Sequence, residues 1–253
     1  MEIHPIIRDV QSRFGVLLEA KVKFQRSMRR LRKTPFEADF NVLKGLDLRG
    51  QLCLDVGGNR GQSIDAIRLM QPECNVISFE PNRLLAQALE LQVANDPRTE
   101  IVNSGLGDEA GEFLLHTPFY RNFMYDGLSS FDEEEARQWL NENTVWKFKP
   151  DLLRIEKHRC KISVLDDLKL NPVFLKLDVQ GYERQVLVGG RKTIERNKPL
   201  ILMENNSSGD EYMLDMGWQH AAWTANGLRL SERGTTNTFY LHPDSDMFKT
   251  LIS

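Results

Sequence analysis

Apolar residues along this chain follow two rhythms. Short, mostly apolar runs such as Leu52 to Val56, Val76 to Phe79, Val173 to Leu177 and Leu200 to Met203 have the length and branching of buried strands. They predict strands at 51–56, 75–79, 99–103, 173–178 and 199–204. Between and after them, apolar positions recur every three to four residues and predict helices at about 61–70, 82–94 and 182–196. This alternation is that of βαβ units, which give a mostly parallel α/β sheet with helices on both faces. It breaks after residue 104. Gly105 to Leu115, with turn residues Gly107 to Gly111, reads as a hairpin, and residues 116–160 form a long insertion. The stretch Tyr212 to Leu241 offers a short helix, an apolar run at Ala221 to Trp223 and a strand at Thr238 to Leu241, an antiparallel edge to the sheet.

Ahead of the strands, residues 5–32 carry helical spacing that stops at Thr34-Pro35, since proline disfavours helix at the residue before it. Residues 1–49 are therefore expected to be a basic N-terminal helical extension, and residues 50–253 the main domain. The whole chain has a formal charge of −3, yet residues 1–33 hold nine Lys or Arg against Glu2, Asp9 and Glu19. That excess, concentrated at 21–33, suits either contact with an anionic surface or the solvated face of a helix, and the second is favoured. No nucleic-acid partner is expected, and self-association into a homo-oligomer is left open. A hydrophobic content of 41% with thirteen Phe and four Trp supplies a sizeable core. Cys53, Cys74 and Cys160 are too few and too widely spaced for a disulfide framework or a zinc site. With no long apolar stretch either, the expected location is cytoplasmic.

The chemistry gathers where strands end. The first strand runs from Leu52 to Val56 into Gly57-Gly58-Asn59-Arg60-Gly61-Gln62, a glycine-rich turn that opens a helix and brings backbone close to a ligand. A dinucleotide fingerprint would need glycine where Asn59 and Gln62, or Arg60 and Ser63, stand. The second strand ends at Glu80-Pro81, placing a carboxylate near the spacing at which an acidic residue accepts hydrogen bonds from ribose. Together these indicate an adenosine-type cofactor, with the turn Gly57-Gly58-Asn59-Arg60-Gly61-Gln62 against it and Glu80 as the ribose ligand. The fourth strand delivers Asp178 and the fifth delivers Glu204-Asn205 to the same sheet edge, where open α/β sheets bind ligands.

These motifs, Asp55-Val56-Gly57-Gly58-Asn59-Arg60-Gly61-Gln62, Phe79-Glu80-Pro81, Lys176-Leu177-Asp178-Val179-Gln180-Gly181-Tyr182-Glu183 and Met203-Glu204, resemble those of the FkbM family of methyltransferases. The likeness covers roughly residues 50–240, with Val164 to Leu168 ahead of the fourth strand. It implies a class I methyltransferase fold, Rossmann-like, with S-adenosylmethionine as cofactor and O-methylation of a sugar, glycan or polyketide-type small molecule. It further implies the methionine end of the cofactor along Asp55 to Gly61, the ribose on Glu80 and the acceptor near Asp178.

An alcohol acceptor must lose its proton, so a general base or a cation is required. Asp178 and Glu204 are the expected catalytic residues. With Asn205 they also resemble the magnesium ligands of catechol-type methyltransferases, which gives a divalent-cation hypothesis beside a purely structural reading of Glu204 and Asn205. Lys176, Glu183, His158 and His220 are candidate bases. The insertion, rich in aromatics from Phe119 to Phe148, is expected to be a lid and acceptor pocket, against the alternative of a satellite hydrophobic cluster. N-methylation and a non-catalytic scaffold are the competing functions. The first is weakened because Asp178-Val179-Gln180-Gly181 replaces the Asn/Asp-Pro-Pro-aromatic run common in N-methyltransferases.

Overall fold

The computed structural model describes residues 26–29 and 31–252. In chain order the strands are β1 (Leu52–Val56), β2 (Asn75–Phe79), β3 (Thr99–Val102), β4 (Gly105–Gly107), β5 (Gly111–Tyr120), β6 (Phe123–Met124), β7 (Leu153–Val164), β8 (Pro172–Leu177), β9 (Leu200–Glu204), β10 (Gln219–Thr224), β11 (Gly227–Leu230) and β12 (Asn237–Leu241). The helices are α1 (Gln62–Met70), α2 (Arg83–Val93), α3 (Glu133–Gln138), α4 (Glu183–Gly189), α5 (Arg191–Asn197), α6 (Ser207–Asp215) and α7 (Asp246–Ile252). Residues 33–111 and 161–252 form one compact unit, and residues 112–160 belong to a second.

The first unit is built on an eight-stranded sheet in the order β11-β10-β12-β9-β8-β1-β2-β3. From β3 to β9 neighbouring strands are parallel, and β12, β10 and β11 complete the sheet antiparallel, as the sequence leads one to expect. Strands buried on both faces need apolar residues in both alternating sets. Cys53, Phe174, Leu200, Leu202 and Phe239 face Ala66, Ile67 and Met70 of α1. Leu54, Val56, Leu175, Leu177, Ile201 and Met203 face Val186, Leu187, Ile194 and Met213 from α4, α5 and α6.

The domain boundary lies earlier than the expected residue 50. A 3-10 helix, Ala38–Gly45, buries Phe40, Val42 and Leu43 in the α1 side of the core. At about 1.5–3 kcal/mol for each fully buried side chain, those three contribute roughly 5–9 kcal/mol, far too much for a detachable extension. Gln71 at the end of α1 holds the segment in place, donating from Nε2 to the Leu43 and Leu46 carbonyls. The helix expected over 5–32 and the basic stretch 21–33 lie largely outside the described residues.

Two further expectations change. The helix expected at 182–196 is two helices broken at Gly190. A Cβ at Gly189 would strike the Gly107 carbonyl, so the glycine pair lets β4 approach the helix backbone. Nor is Gly105 to Leu115 a hairpin, because β4 pairs in parallel with Ile162 to Val164 rather than with the strand that follows it.

The 112–160 unit has a small core of its own, Tyr120, Tyr125, Leu140 and Val145 with Phe123 and Phe148 against it. Tyr120 and Phe148 stack with centroids 5.3 Å apart, and the Tyr120 hydroxyl accepts the Lys149 N–H. Half of the insertion's aromatics are therefore spent on local packing, the satellite-cluster alternative, while Trp139 and Trp146 remain 50% and 41% exposed. Among the described residues, no helix is long and apolar enough to cross a membrane.

Candidate active site

Side chains two residues apart on a strand share a face. On the α1 side of the sheet the apolar set Cys53, Phe174, Leu202 and Phe239 is followed, toward the carboxyl edge of the parallel strands, by Asp55, Lys176, Glu204 and Asn237. β12 runs antiparallel, so its first residue reaches that edge, where Asn237 pairs with Glu204. Asp55 pairs with Lys176, and Lys176 with Leu202. One sheet face thus turns polar over adjacent strands.

Lys176 is 2% exposed and directs its ammonium to three acceptors: Asn237 Oδ1 at 3.2 Å, the Leu177 carbonyl at 3.4 Å and Asp178 Oδ2 at 3.5 Å. Gln180 Nε2 bridges the two expected catalytic carboxylates, donating to Asp178 Oδ1 at 3.0 Å and Glu204 Oε2 at 3.1 Å. Burial, then the charge of Asp178 and a hydrogen bond with it, pushes the Glu204 carboxyl up to about 7, against the pull of Lys176. A carboxyl poised there is matched to proton transfer near neutral pH. On the far side of Asn237, its Nδ2 donates to Glu37 Oε2 at 2.9 Å and to Asp39 Oδ2 at 3.1 Å. Burial raises the Glu37 carboxyl as well, with Lys176 opposing and Asp178 and Asp39 adding to the rise.

The glycine turn after β1 folds as a string of left-handed residues, Gly57, Asn59 and Gly61. Its glycines are demanded by the protein itself rather than by room for a ligand. A Cβ at Gly57 would overlap the Asp178 carbonyl oxygen, and one at Gly58 the Ser78 hydroxyl. Gly61 ends the turn and Gln62 opens α1. Glu80 is 5% exposed and braces the turn, with Oε2 accepting the Asn59 N–H at 2.7 Å and Oε1 the Asn82 N–H at 2.8 Å. Asp55 is fully buried. Ser78 donates to its Oδ2 at 2.7 Å, whereas Oδ1 makes no hydrogen bond. Burial raises Asp55 to about 6, with the nearby hydroxyls of Ser63 and Ser78 and the charge of Lys176 holding it back.

A cofactor with a cationic amino-acid end and a ribose fits this set. Asp55 Oδ1 is a buried acceptor without a hydrogen-bond partner, and Glu80 sets a second carboxylate beside the turn. A divalent cation does not fit. Asn205 stands outside the cluster, its Nδ2 donating to the Gly234 carbonyl and its Oδ1 accepting from Thr238. Among the described residues no three His, Cys, Asp or Glu side chains converge so as to hold a metal ion. The expected Asp178, Glu204 and Asn205 set is therefore corrected: two of its members are joined by Gln180 and backed by Lys176, and the third caps a loop.

Of the candidate bases, Lys176 enters the site and spends its donors there. Glu183 braces the start of α4, accepting the Val179 and Gly181 N–H groups at 3.2 Å each. His158 lies in the 112–160 unit beside Glu156, and His220 faces Asp210. The sequence reading missed Glu37, Asp39, Gln180 and Asn237.

The model of the Methyltransferase FkbM domain matches residues 55–223, two thirds of the chain. The chain is 31% identical over 160 residues to the AMB antimetabolite synthetase AmbE of Pseudomonas aeruginosa, a match covering 54% of this chain and 8% of that protein. Among solved structures it is similar to a methyltransferase FkbM from Methylobacillus flagellatus, with 15% identity and a TM-score of 0.49 over 77% of this chain and 44% of that one. It is also similar to Aeropyrum pernix fibrillarin, solved with bound S-adenosylmethionine, with 12% identity and a TM-score of 0.40 over 80% and 72%. With a parallel sheet, a glycine turn braced by Glu80, and a family match over most of its core, the chain belongs to the FkbM methyltransferases, whose methyl donor is S-adenosylmethionine.

Proposed function

We propose that this protein methylates a hydroxyl oxygen of a sugar, glycan or polyketide-type small molecule, with Glu204 as the general base and Asp178 orienting the hydroxyl. The observation that carries this reading is the Glu204 carboxyl, raised to about 7 and bridged to Asp178 at the carboxyl edge of the sheet. S-adenosylmethionine supplies an electrophilic methyl group when bound. The turn from Gly57 to Gln62, with Asp55 beneath it, would hold its methionine end, and Glu80 its ribose. Adjacent strands lie about 4.8 Å apart, so β9 delivers Glu204 roughly 10 Å from the β1 turn, a span that a donor and a small acceptor can share. Glu204 takes the hydroxyl proton as the new bond forms, and aligning the acceptor is the main remaining task. Lys176 supplies the positive charge at Asp178 that the divalent-cation hypothesis assigned to a metal. A small-molecule acceptor agrees with the likeness to part of an antimetabolite synthetase.

A second reading draws on charge. Glu37, Asp39, Asp178 and Glu204 face one lysine, an excess that also suits an amine acceptor. Methyl-labelled S-adenosylmethionine offered with panels of methyl glycosides, phenols and primary amines separates the two. An O-methyl ether that Glu204→Gln no longer makes is expected. An N-methyl product, or full turnover by Glu204→Gln, overturns the hydroxyl reading.

A further inference from the structure

We propose that Asn237 is a positioning residue of the acceptor site: its amide fixes the Lys176 ammonium beside Asp178 and joins Glu37 and Asp39 to the same cluster. The inference rests on the assignment of Asp178 and Glu204 to the acceptor. None of Glu37, Asp39 and Asn237 lies within the family-matched residues 55–223, so the clamp consists of this chain's flanking segments closing on a motif lysine.

The geometry asks for an amide. Asn237 is 3% exposed and all its polar capacity toward the cluster is in use: Oδ1 accepts from an ammonium while Nδ2 donates to two carboxylates. A carboxylate there would keep the Lys176 bond but face Glu37 and Asp39 with like charge. An apolar side chain would leave the buried ammonium one acceptor short, which is costly away from water, and would take this donor from the two partly buried acids. The segment bearing Glu37 and Asp39 is fixed independently. Phe40 packs edge to face on Phe174, two residues before Lys176 on the same strand, with centroids 6.3 Å apart, and Gln71 clamps the Leu43 carbonyl. Asn237 thus connects two rigid supports, the core-anchored 3-10 segment and the central sheet, through one side chain. That amide holds Lys176 from behind while the ammonium faces Asp178.

The test uses the full chain and its Asn237→Leu and Asn237→Asp variants. Calorimetric binding of S-adenosylhomocysteine within about twofold of wild type shows that the fold and cofactor site are intact. In lysine-15N-labelled protein, a slowly exchanging side-chain ammonium resonance, assigned by its loss in Lys176→Met, reports the clamp directly. It is expected in wild type and Asn237→Asp and absent in Asn237→Leu. Turnover is read on whichever glycoside, phenol or amine the wild type methylates. For Asn237→Leu, kcat should fall by about tenfold to a hundredfold, the cost of a misplaced reacting group, with the KM for S-adenosylmethionine nearly unchanged. Persistence of the resonance in Asn237→Leu, or its loss with undiminished kcat, overturns the proposal. N-methylation by the wild type would instead overturn the hydroxyl reading and leave the Asn237 comparison to be made on that amine. Should no panel compound be methylated, the resonance alone decides.

Discussion

Replacing Glu204 by Gln removes a titrating group and keeps the shape of the site, so its effects on stability and on turnover should have opposite signs. Burial and Asp178 raise this carboxyl from an ordinary 4.5 to about 7. A raised carboxyl binds its proton more tightly folded than unfolded, so the native state loses stability as pH climbs through 4.5 to 7 and remains penalised above that window. At full weight such a displacement is worth about 3 kcal/mol. Glu204 is half-buried, and solvent screening reduces the figure to roughly 1–2 kcal/mol. The amide carries no such penalty. Glu204→Gln should therefore melt at a higher temperature than wild type at pH 8, by about 2–8 °C for a chain of this size, with the difference vanishing near pH 4.5. Differential scanning calorimetry between pH 4.5 and 8.5 measures this, and the same variant should lose about 100-fold or more in methyl transfer as the proposed base is lost. A variant whose melting difference from wild type does not change with pH would refute the argument that Glu204 is a strained, proton-hungry group.

Other consequences follow from the cofactor turn. Glu80→Ala frees two backbone N–H groups, at Asn59 and Asn82, as well as the proposed ribose ligand. At about 1.5–3 kcal/mol for a hydrogen bond to a charged group, calorimetry should show S-adenosylmethionine binding weakened by roughly 10- to 100-fold. Gly57→Ala forces a side chain at φ +92° onto the Asp178 carbonyl oxygen, and should lower stability by about 2 kcal/mol or more in urea unfolding while abolishing cofactor binding. Because Asn205 is spent on Gly234 and Thr238, exhaustive dialysis against EDTA should leave turnover unchanged. Activity lost on dialysis and restored by magnesium would reinstate the metal site.

The parallel core was legible because buried strands leave runs of β-branched and aliphatic residues that few other elements produce. β1, β2, β3, β8 and β9 each fall within a residue or two of the expected positions. What periodicity could not show was a break imposed from outside an element. Gly189-Gly190 lies in the middle of the single helix expected over 182–196, and only the approach of the Gly107 carbonyl explains why two helices meet there. The extension failed as a separate element for a similar reason. Phe40, Val42 and Leu43 sit in a 3-10 turn, whose period is neither that of a helix nor that of a strand, and nothing in the local spacing marks them as core.

The site shows the same limit in sharper form, through two asparagines. Asn205 was attractive because it follows Glu204 in the chain, yet neighbours along a strand point to opposite faces, and being adjacent in sequence is what sends its side chain to Gly234 and Thr238. The asparagine that shares a face with Glu204 is the one opposite it in the sheet, Asn237, 33 positions later, in an antiparallel strand whose first residue meets the last residue of β9. Once β12 is known to run antiparallel beside β9, alternation alone predicts this: Asn237 is two residues before Phe239, and Phe239 pairs with Leu202 of the α1-side core. Glu37 had no such signal, because its place depends on Phe40 finding Phe174. Motif reading therefore recovers residues that share a loop, and strand register recovers those that share a face. A charge delivered by a remote segment becomes visible only when the core contact that anchors the segment is known.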